Sequence, residues 1–96
     1  MRFPLSIVRV TGDSMYPVYS NNDYVVAIRR PFFTIKPGDV VLLSQSPYGN
    51  MIKAVESTGR DWIRVHGFHQ SSVDSKTFGD IPKKRIFAKV IFKIKS

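Results

Sequence analysis

The chain has 96 residues, with 15 Lys+Arg, 7 Asp+Glu and a formal net charge of +8. A chain of this length forms a single small core, and its 43% of hydrophobic residues excludes a disordered protein. It contains no cysteine and two histidines, which excludes disulfides and thiolate metal sites and predicts no metal or other cofactor. We therefore expect one domain over residues 1–96.

The opening stretch, MRFPLSIVRV, is predicted to be the first strand. Its apolar part is shorter than a signal-peptide core, and no small-residue cleavage site follows it. Nowhere in the chain do apolar residues run for the roughly 18 positions that a membrane span needs. These features predict a soluble, cytoplasmic protein without a membrane anchor, with contact to a membrane surface left open.

Further strands are predicted from period-two alternation and from short apolar runs bounded by turn residues. These segments are DYVVAI (23–28), DVVLL (39–43), MIKAVE (51–56), DWIRVH (61–66) and RIFAKVIFKIK (85–95). The first two are continuous apolar runs typical of strands buried on both faces. STGR (57–60) is predicted to form a hairpin turn between MIKAVE and DWIRVH. The predicted fold is all-β, a small coiled sheet or partly open barrel of about six strands.

The last strand combines apolar and basic residues in alternation. We expect its apolar positions to share one face: Ile86, Ala88, Val90, Phe92 and Ile94. Six of the fifteen basic residues fall in the last fourteen positions, either on a solvated strand face or on a binding surface. Nucleic-acid binding is not favoured, because the basic residues follow the strand alternation. Tyr24 and Trp62 are predicted to lie in the core, and Phe32 and Phe33 either in the core or on an exposed docking loop.

The stretch TGDSMYP (11–17) contains the candidate nucleophile, Ser14. Without cysteine, covalent catalysis needs a serine, threonine, lysine or carboxylate. A histidine-based triad would need His66 or His69, and neither has an evident carboxylate partner in the sequence. Ser14 is therefore either a nucleophile served by another base or a residue that caps a turn.

Lys53 is the candidate base, because a lysine can accept a proton when burial keeps it neutral. In MIKAV its neighbours on the same strand face are Met51 and Val55, while Ile52 and Ala54 take the other face. A lysine enclosed by apolar residues is unusual. The alternative is an edge-strand lysine whose amine reaches water.

Four short stretches follow one another in the order of the boxes of bacterial signal peptidase I. They are GDSMYP (12–17), PGDVV (37–41), MIKAV (51–55) and SSVDSKTFG (71–79). The self-cleaving repressor and mutagenesis proteins of the LexA type share this core. The chain thus resembles the signal peptidase I and LexA-type superfamily over nearly its whole length. The resemblance implies a serine endopeptidase with a Ser-Lys dyad.

The resemblance assigns roles to five residues around the candidate nucleophile. Ser14 corresponds to the nucleophile and Lys53 to the general base. Gly12 corresponds to the residue that helps form the oxyanion site, which the backbone N–H of Ser14 completes. Met15 and Pro17 correspond to residues that shape the pocket for the residue before the scissile bond. The resemblance also implies small substrate side chains at that position.

The polar stretch SSVDSKTFG corresponds to the box that supports the lysine. The resemblance makes Ser72 the residue that hydrogen-bonds Lys53, with Asp74 and Ser75 as structural support and Gly79 as the closing glycine. Lys76 stands where signal peptidases usually have arginine, so the ion pair made there is expected to differ.

Two differences from signal peptidases narrow the expected function. The N-terminal membrane anchors and the large inserted second β-domain of those enzymes have no counterpart in this sequence. The chain is therefore similar to small soluble leader-processing peptidases, such as the maturation protease proposed for nickel-type superoxide dismutase. About ten residues precede Ser14, which predicts cleavage of a separate protein or peptide rather than of the chain itself. The alternatives are a basic β-barrel that binds nucleic acid or another acidic partner, and a non-catalytic relic of the peptidase scaffold.

Overall fold

A computed structural model describes residues 4–11, 18–29, 33–45, 49–66 and 79–94. These residues form seven strands and one 3₁₀-helix. The strands are β1 (Leu5–Arg9), β2 (Tyr24–Arg29), β3 (Val40–Gln45), β4 (Gly49–Thr58), β5 (Trp62–His66), β6 (Ile81–Pro82) and β7 (Ile86–Ile94), and the 3₁₀-helix (Lys83–Arg85) lies between β6 and β7. They make one antiparallel sheet in the order β1-β2-β7-β3-β4-β5-β6. The all-β prediction is confirmed.

All six predicted strands are present. The apolar runs predicted to be buried on both faces are confirmed, since consecutive residues are buried at 25–27 in β2 and at 41–43 in β3. The turn between β4 and β5 is also confirmed, and there the N–H of Gly59 donates to the carbonyl of Trp62 at 3.0 Å. The indole of Trp62 occupies the space that a Cβ on Gly59 would need, so this turn requires glycine. The seventh strand, β6, was not predicted, because two residues carry no periodic signal.

Apolar residues cover both faces of the sheet and form two clusters. One cluster contains Val10, Val25, Ala27, Leu42, Ile52, Ala54, Ala88 and Val90. The other contains Val41, Leu43, Val55, Ile63, Val65, Ile81 and Ile86, with Phe33, Ile35 and Met51 packed against it. We call them the first and second clusters. Alternation along each strand sends neighbouring residues to opposite clusters, as the pleat requires.

Strand β7 does not have the single apolar face that the sequence predicted. Its register against β3 shifts between Leu42 and Leu43, and its register against β2 shifts between Val26 and Ala27. Ile86 consequently belongs to the second cluster and Ala88 to the first. A β-bulge sends the side chains beyond it to the other face. The predicted single face was therefore wrong.

The apolar surface of the outer strands also differs from expectation. Tyr24, predicted to lie in the core, is 45% exposed, whereas Phe33 packs against the second cluster. Trp62 is half-buried. No helix in the part of the chain that the structure describes is long and apolar enough to cross a membrane.

Candidate active site around Lys53

Lys53 lies in the middle of β4 and is 2% exposed. It is the largest of the fully buried side chains and the one buried polar or charged residue among those described. Lysine is almost never fully buried in proteins, because transferring an ammonium group out of water is costly. The alternative of an edge-strand lysine reaching water is therefore wrong, since β4 is flanked by β3 and β5.

The residues beside Lys53 on its own face are apolar. Val55 belongs to the second cluster and Met51 packs against it, whereas Ile52 and Ala54 belong to the first cluster. The predicted division of MIKAV between two faces is therefore confirmed. Lys53 pairs with Val41 of β3, which is fully buried and also belongs to the second cluster. The described side chains beside and opposite Lys53 on its face are therefore apolar.

His66, the last residue of β5, lies across from the residue that follows Lys53 in β4, and its side chain is on the opposite face of the sheet from Lys53. It pairs with Ala54, and antiparallel partners share a face. Ala54 belongs to the first cluster, and Lys53, as its neighbour in the strand, is on the opposite face. This pairing directs His66 away from the face of Lys53. The same pairing places the C-terminal end of β5 beside Lys53.

The remaining predicted site residues, except one, lie outside the described residues. These are Gly12, Ser14, Met15, Pro17, Ser72, Asp74 and Ser75. The contact of Ser14 and Ser72 with Lys53 therefore stays a prediction. Gly79 is described and lies two residues before β6, with φ of +72°, a left-handed conformation that suits glycine. Its role in the site stays a prediction.

The turns at 18–23 and 34–39 are each held by a lysine of β7. Lys89 Nζ lies 3.1 Å from Asp39 Oδ2 and donates to the carbonyl of Thr34 at 3.2 Å. Lys93 Nζ lies 3.8 Å from Asp23 Oδ2 and donates to the carbonyl of Val18 at 2.9 Å. Asp39 ends the turn before β3, and its Oδ2 accepts the N–H of Lys36 at 2.9 Å. These two lysines are thus engaged within the domain.

The outer strands carry an exposed apolar patch. The patch is formed by Leu5, Ile7, Tyr24, Phe92 and Ile94, which are 37%, 68%, 45%, 56% and 36% exposed. The strand register places them on one face, because Ile7 pairs with Val26 and Val26 with Phe92. We call this surface the outer apolar patch. Strands β1, β2 and β7 contain four basic residues and no acidic one.

Comparison with known proteins identifies relatives over most of the chain. Residues 3–91 match the model of a protein family described as Peptidase S24-like. Mitochondrial inner membrane protease subunit 1 of Homo sapiens is 29% identical over 113 residues, covering 92% of this chain and 68% of that protein. The Mus musculus protein of the same name is 29% identical over 114 residues with the same coverage. Because both alignments are longer than this chain, these relatives contain residues that it lacks.

Proposed function

The chain belongs to the peptidase S24-like family, and we propose that it is a serine endopeptidase in which Ser14 and Lys53 form the catalytic dyad. The burial of Lys53 carries the proposal. Lysine is almost never fully buried, because moving an ammonium group out of water is costly, so a fully buried lysine is a candidate for a chemical role. The order of the four boxes along the sequence supports the pairing of Lys53 with Ser14.

In the proposed mechanism, neutral Lys53 accepts the proton of Ser14 as Oγ attacks the carbonyl carbon of a peptide bond. The backbone N–H groups around Gly12 and Ser14 stabilise the oxyanion of the tetrahedral intermediate. Protonated Lys53 then gives its proton to the leaving amine, and the acyl group stays on Ser14 as an ester. Water, activated by Lys53, hydrolyses the ester and restores both side chains. Ser72 holds the Lys53 amine by a hydrogen bond.

The proposed substrate is a leader-type or signal-type segment of another protein, with small side chains before the scissile bond. Met15 and Pro17 shape the pocket for that residue, and Asp74 and Ser75 support the segment that carries Ser72. The substrate adds as an extended strand to a sheet edge near Ser14. Strand β1 is suited to this, because it ends the sheet order and leads directly to residues 12–17.

Labelling by a serine-directed acylating probe tests the dyad, with mass spectrometry to locate the label. We expect the wild-type protein to be labelled at Ser14, and Ser14→Ala and Lys53→Ala to lose labelling and peptide cleavage by about a thousandfold or more. The matched controls are Ser44→Ala and Lys84→Ala, which remove an exposed serine and an exposed lysine. Full turnover by folded Lys53→Ala protein would exclude the lysine as base.

The pH dependence of cleavage gives an independent test of the base. The mechanism needs neutral Lys53, so the rate decreases as the pH is lowered and the amine becomes protonated. A rate that stays constant between about pH 6 and pH 9 contradicts a lysine base. The folded state of the protein is checked over the same range by circular dichroism.

A second proposal concerns where the enzyme works. We propose that the outer apolar patch binds the surface of an anionic membrane. Exposed contiguous apolar surface marks an interaction site. Arg9 pairs with Tyr24 on the same face, and together with the net charge of +8 it favours anionic lipid headgroups. The net charge of +8 opposes self-association through this surface. The name of the relatives, an inner membrane protease, supports the same location.

Vesicle co-sedimentation tests this surface with phosphatidylglycerol and phosphatidylcholine vesicles. We expect binding to the anionic vesicles only, and loss of binding in the double variant Ile7→Ser/Phe92→Ser. The control is Val18→Ser, an exposed apolar residue outside the patch. Unchanged binding by the double variant excludes the patch as a membrane surface. Concentration-dependent dimerisation that the double variant abolishes would instead assign the patch to a second copy of the chain.

A further inference from the structure

We propose that Lys93 is a positioning residue that fixes the end of the segment carrying Ser14. The inference rests on the proposed function of Ser14 but concerns a residue on β7, outside the four boxes of the resemblance. Residues 12–17 connect β1 to the turn at 18–23, so the position of the Ser14 hydroxyl depends on how both ends of this segment are held.

The C-terminal end is held by the amine of Lys93. Its Nζ donates to the carbonyl of Val18 at 2.9 Å, the first described residue after the segment. The same Nζ lies 3.8 Å from Asp23 Oδ2 and 5.8 Å from the ring centroid of Tyr19. Asp23 Oδ2 also accepts the N–H of Ser20 at 2.8 Å. One amine thus joins the carbonyl, the carboxylate and the aromatic ring of a single turn.

The N-terminal end is bonded to this same turn. The N–H of Val10 donates to the carbonyl of Asp23 at 2.7 Å, and the N–H of Asn22 donates to the carbonyl of Val10 at 2.8 Å. Val10 is itself buried in the first cluster, and Tyr19 packs against that cluster. Both ends of the Ser14 segment therefore converge on the 18–23 turn, and Lys93 ties the turn to the sheet.

The turn at 34–39 is built in the same way and supplies an internal comparison. In each turn an aspartate accepts the N–H of the residue three positions before it, and a lysine of β7 binds that aspartate. The lysine also binds the carbonyl five positions before the aspartate, which is Thr34 for Lys89 and Val18 for Lys93. The two turns differ in what they hold: the 18–23 turn comes directly after the segment that contains Ser14, whereas the 34–39 turn is hydrogen-bonded to Val55 of β4.

Loss of the Lys93 contacts should therefore act on catalysis through orientation. Displacing a reacting group by about 1 Å can lower a rate by about a hundredfold without weakening substrate binding. Lys93 is 38% exposed at its side chain, so its pairing contributes little to folding, and its removal leaves a folded protein in which the effect can be measured.

Steady-state cleavage of a leader-type peptide by Lys93→Met tests the inference. We expect kcat to fall by about tenfold to a hundredfold with KM changed less than about threefold. Lys93→Arg keeps a cation that can reach the carbonyl and the carboxylate, and we expect it to restore kcat to within about fivefold of wild type. Thermal melting verifies that each variant is folded at the assay temperature.

The matched control is Lys89→Met, which removes the equivalent contacts at the 34–39 turn. We expect a smaller fall in kcat for this variant. Wild-type kcat in Lys93→Met, or an equal fall in Lys89→Met, overturns the inference. Absence of Ser14 labelling in the wild-type protein contradicts the proposed function itself. Normal Ser14 labelling in the wild type together with an unchanged kcat in Lys93→Met contradicts only the role of Lys93.

Discussion

The two halves of the sheet contain similar alternating sequences but bury them differently. In the half formed by β3, β4 and β5, Val41 and Leu43 are fully buried and Lys53 is 2% exposed. In the half formed by β1, β2 and β7, Ile7 is 68% exposed and Phe92 56% exposed. On one face of the sheet, the residues of β3, β4 and β5 are buried in the second cluster. On the same face, β1, β2 and β7 carry the exposed outer apolar patch. Alternation therefore determines which residues share a face, and the packing of other segments determines whether that face is buried.

The lysines show the same difference. Lys53 sits opposite Val41 and beside other apolar residues, while Lys89 and Lys93 each approach an aspartate and a backbone carbonyl. The side chains of Lys89 and Lys93 are 20% and 38% exposed. A lysine near the surface is explained by folding alone, whereas a fully buried lysine is a candidate for a chemical role.

Truncating one apolar side chain in each half gives the largest expected effect on stability. Leu43→Ala creates a cavity in the second cluster and should lower the free energy of unfolding by about 2–5 kcal/mol. Ile7→Ala removes a side chain that is 68% exposed and should cost less than about 1 kcal/mol, mainly through strand propensity. Urea denaturation measures both. Equal losses would show that the outer apolar patch is buried in solution.

Replacing a lysine by methionine should have a smaller effect on stability, and the effect should differ between the surface lysine Lys89 and the buried lysine Lys53. Lys89→Met leaves the half-buried carboxylate of Asp39 without its cation and should lower the free energy of unfolding by about 1–2 kcal/mol. Lys53→Met keeps most of the side-chain volume and removes the cost of burying an amine, which offsets the contacts that the amine loses, so we expect stability within about 1 kcal/mol of wild type. A large loss of stability in Lys53→Met would identify Lys53 as a structural residue.

The strands and the division of the residues around Lys53 between two faces could be predicted because their signals are local. DYVVAI and DVVLL are apolar runs between turn residues, and MIKAV divides its side chains between two faces by alternation alone. The bulges of β7 were not predicted, although the alternation of RIFAKVIFKIK is interrupted by an apolar triplet at each of them, Ile86-Phe87-Ala88 and Val90-Ile91-Phe92. The exposure of Tyr24 was missed because alternation does not reveal whether a face is covered.

In the candidate site, too, residues with a local sequence signal could be predicted and long-range contacts could not. The sequence identifies Ser14 and Ser72 through the resemblance, and both lie outside the described residues, so their positions stay predictions. The contacts of Lys93 with Val18 and Asp23 span 75 and 70 positions of the chain and have no local signal. The available hint was the aspartate that ends each of the turns VYSNND and TIKPGD, which is a common turn former.

The smallest expected effect concerns the ring beneath Lys93. Burial raises the pKa of the Tyr19 phenol above its ordinary value of about 10, so the folded protein releases this proton less readily than the unfolded chain. The unfolded state then binds fewer protons than the folded state above about pH 10, and the free energy of unfolding decreases as the pH rises through that range. Tyr19→Phe removes this contribution and should make the decrease shallower.

Urea denaturation of wild type and Tyr19→Phe at pH 8 and at about pH 10.5 measures this contribution. At pH 8 both proteins lack a phenolate at position 19, so their difference there reports only the lost hydroxyl group. An unchanged difference at the higher pH would mean that the phenol is as accessible to water in the folded protein as in the unfolded chain. Tyr19 would then not be packed against the first cluster, and the turn that follows the Ser14 segment would be held by Lys93 without the support of the core.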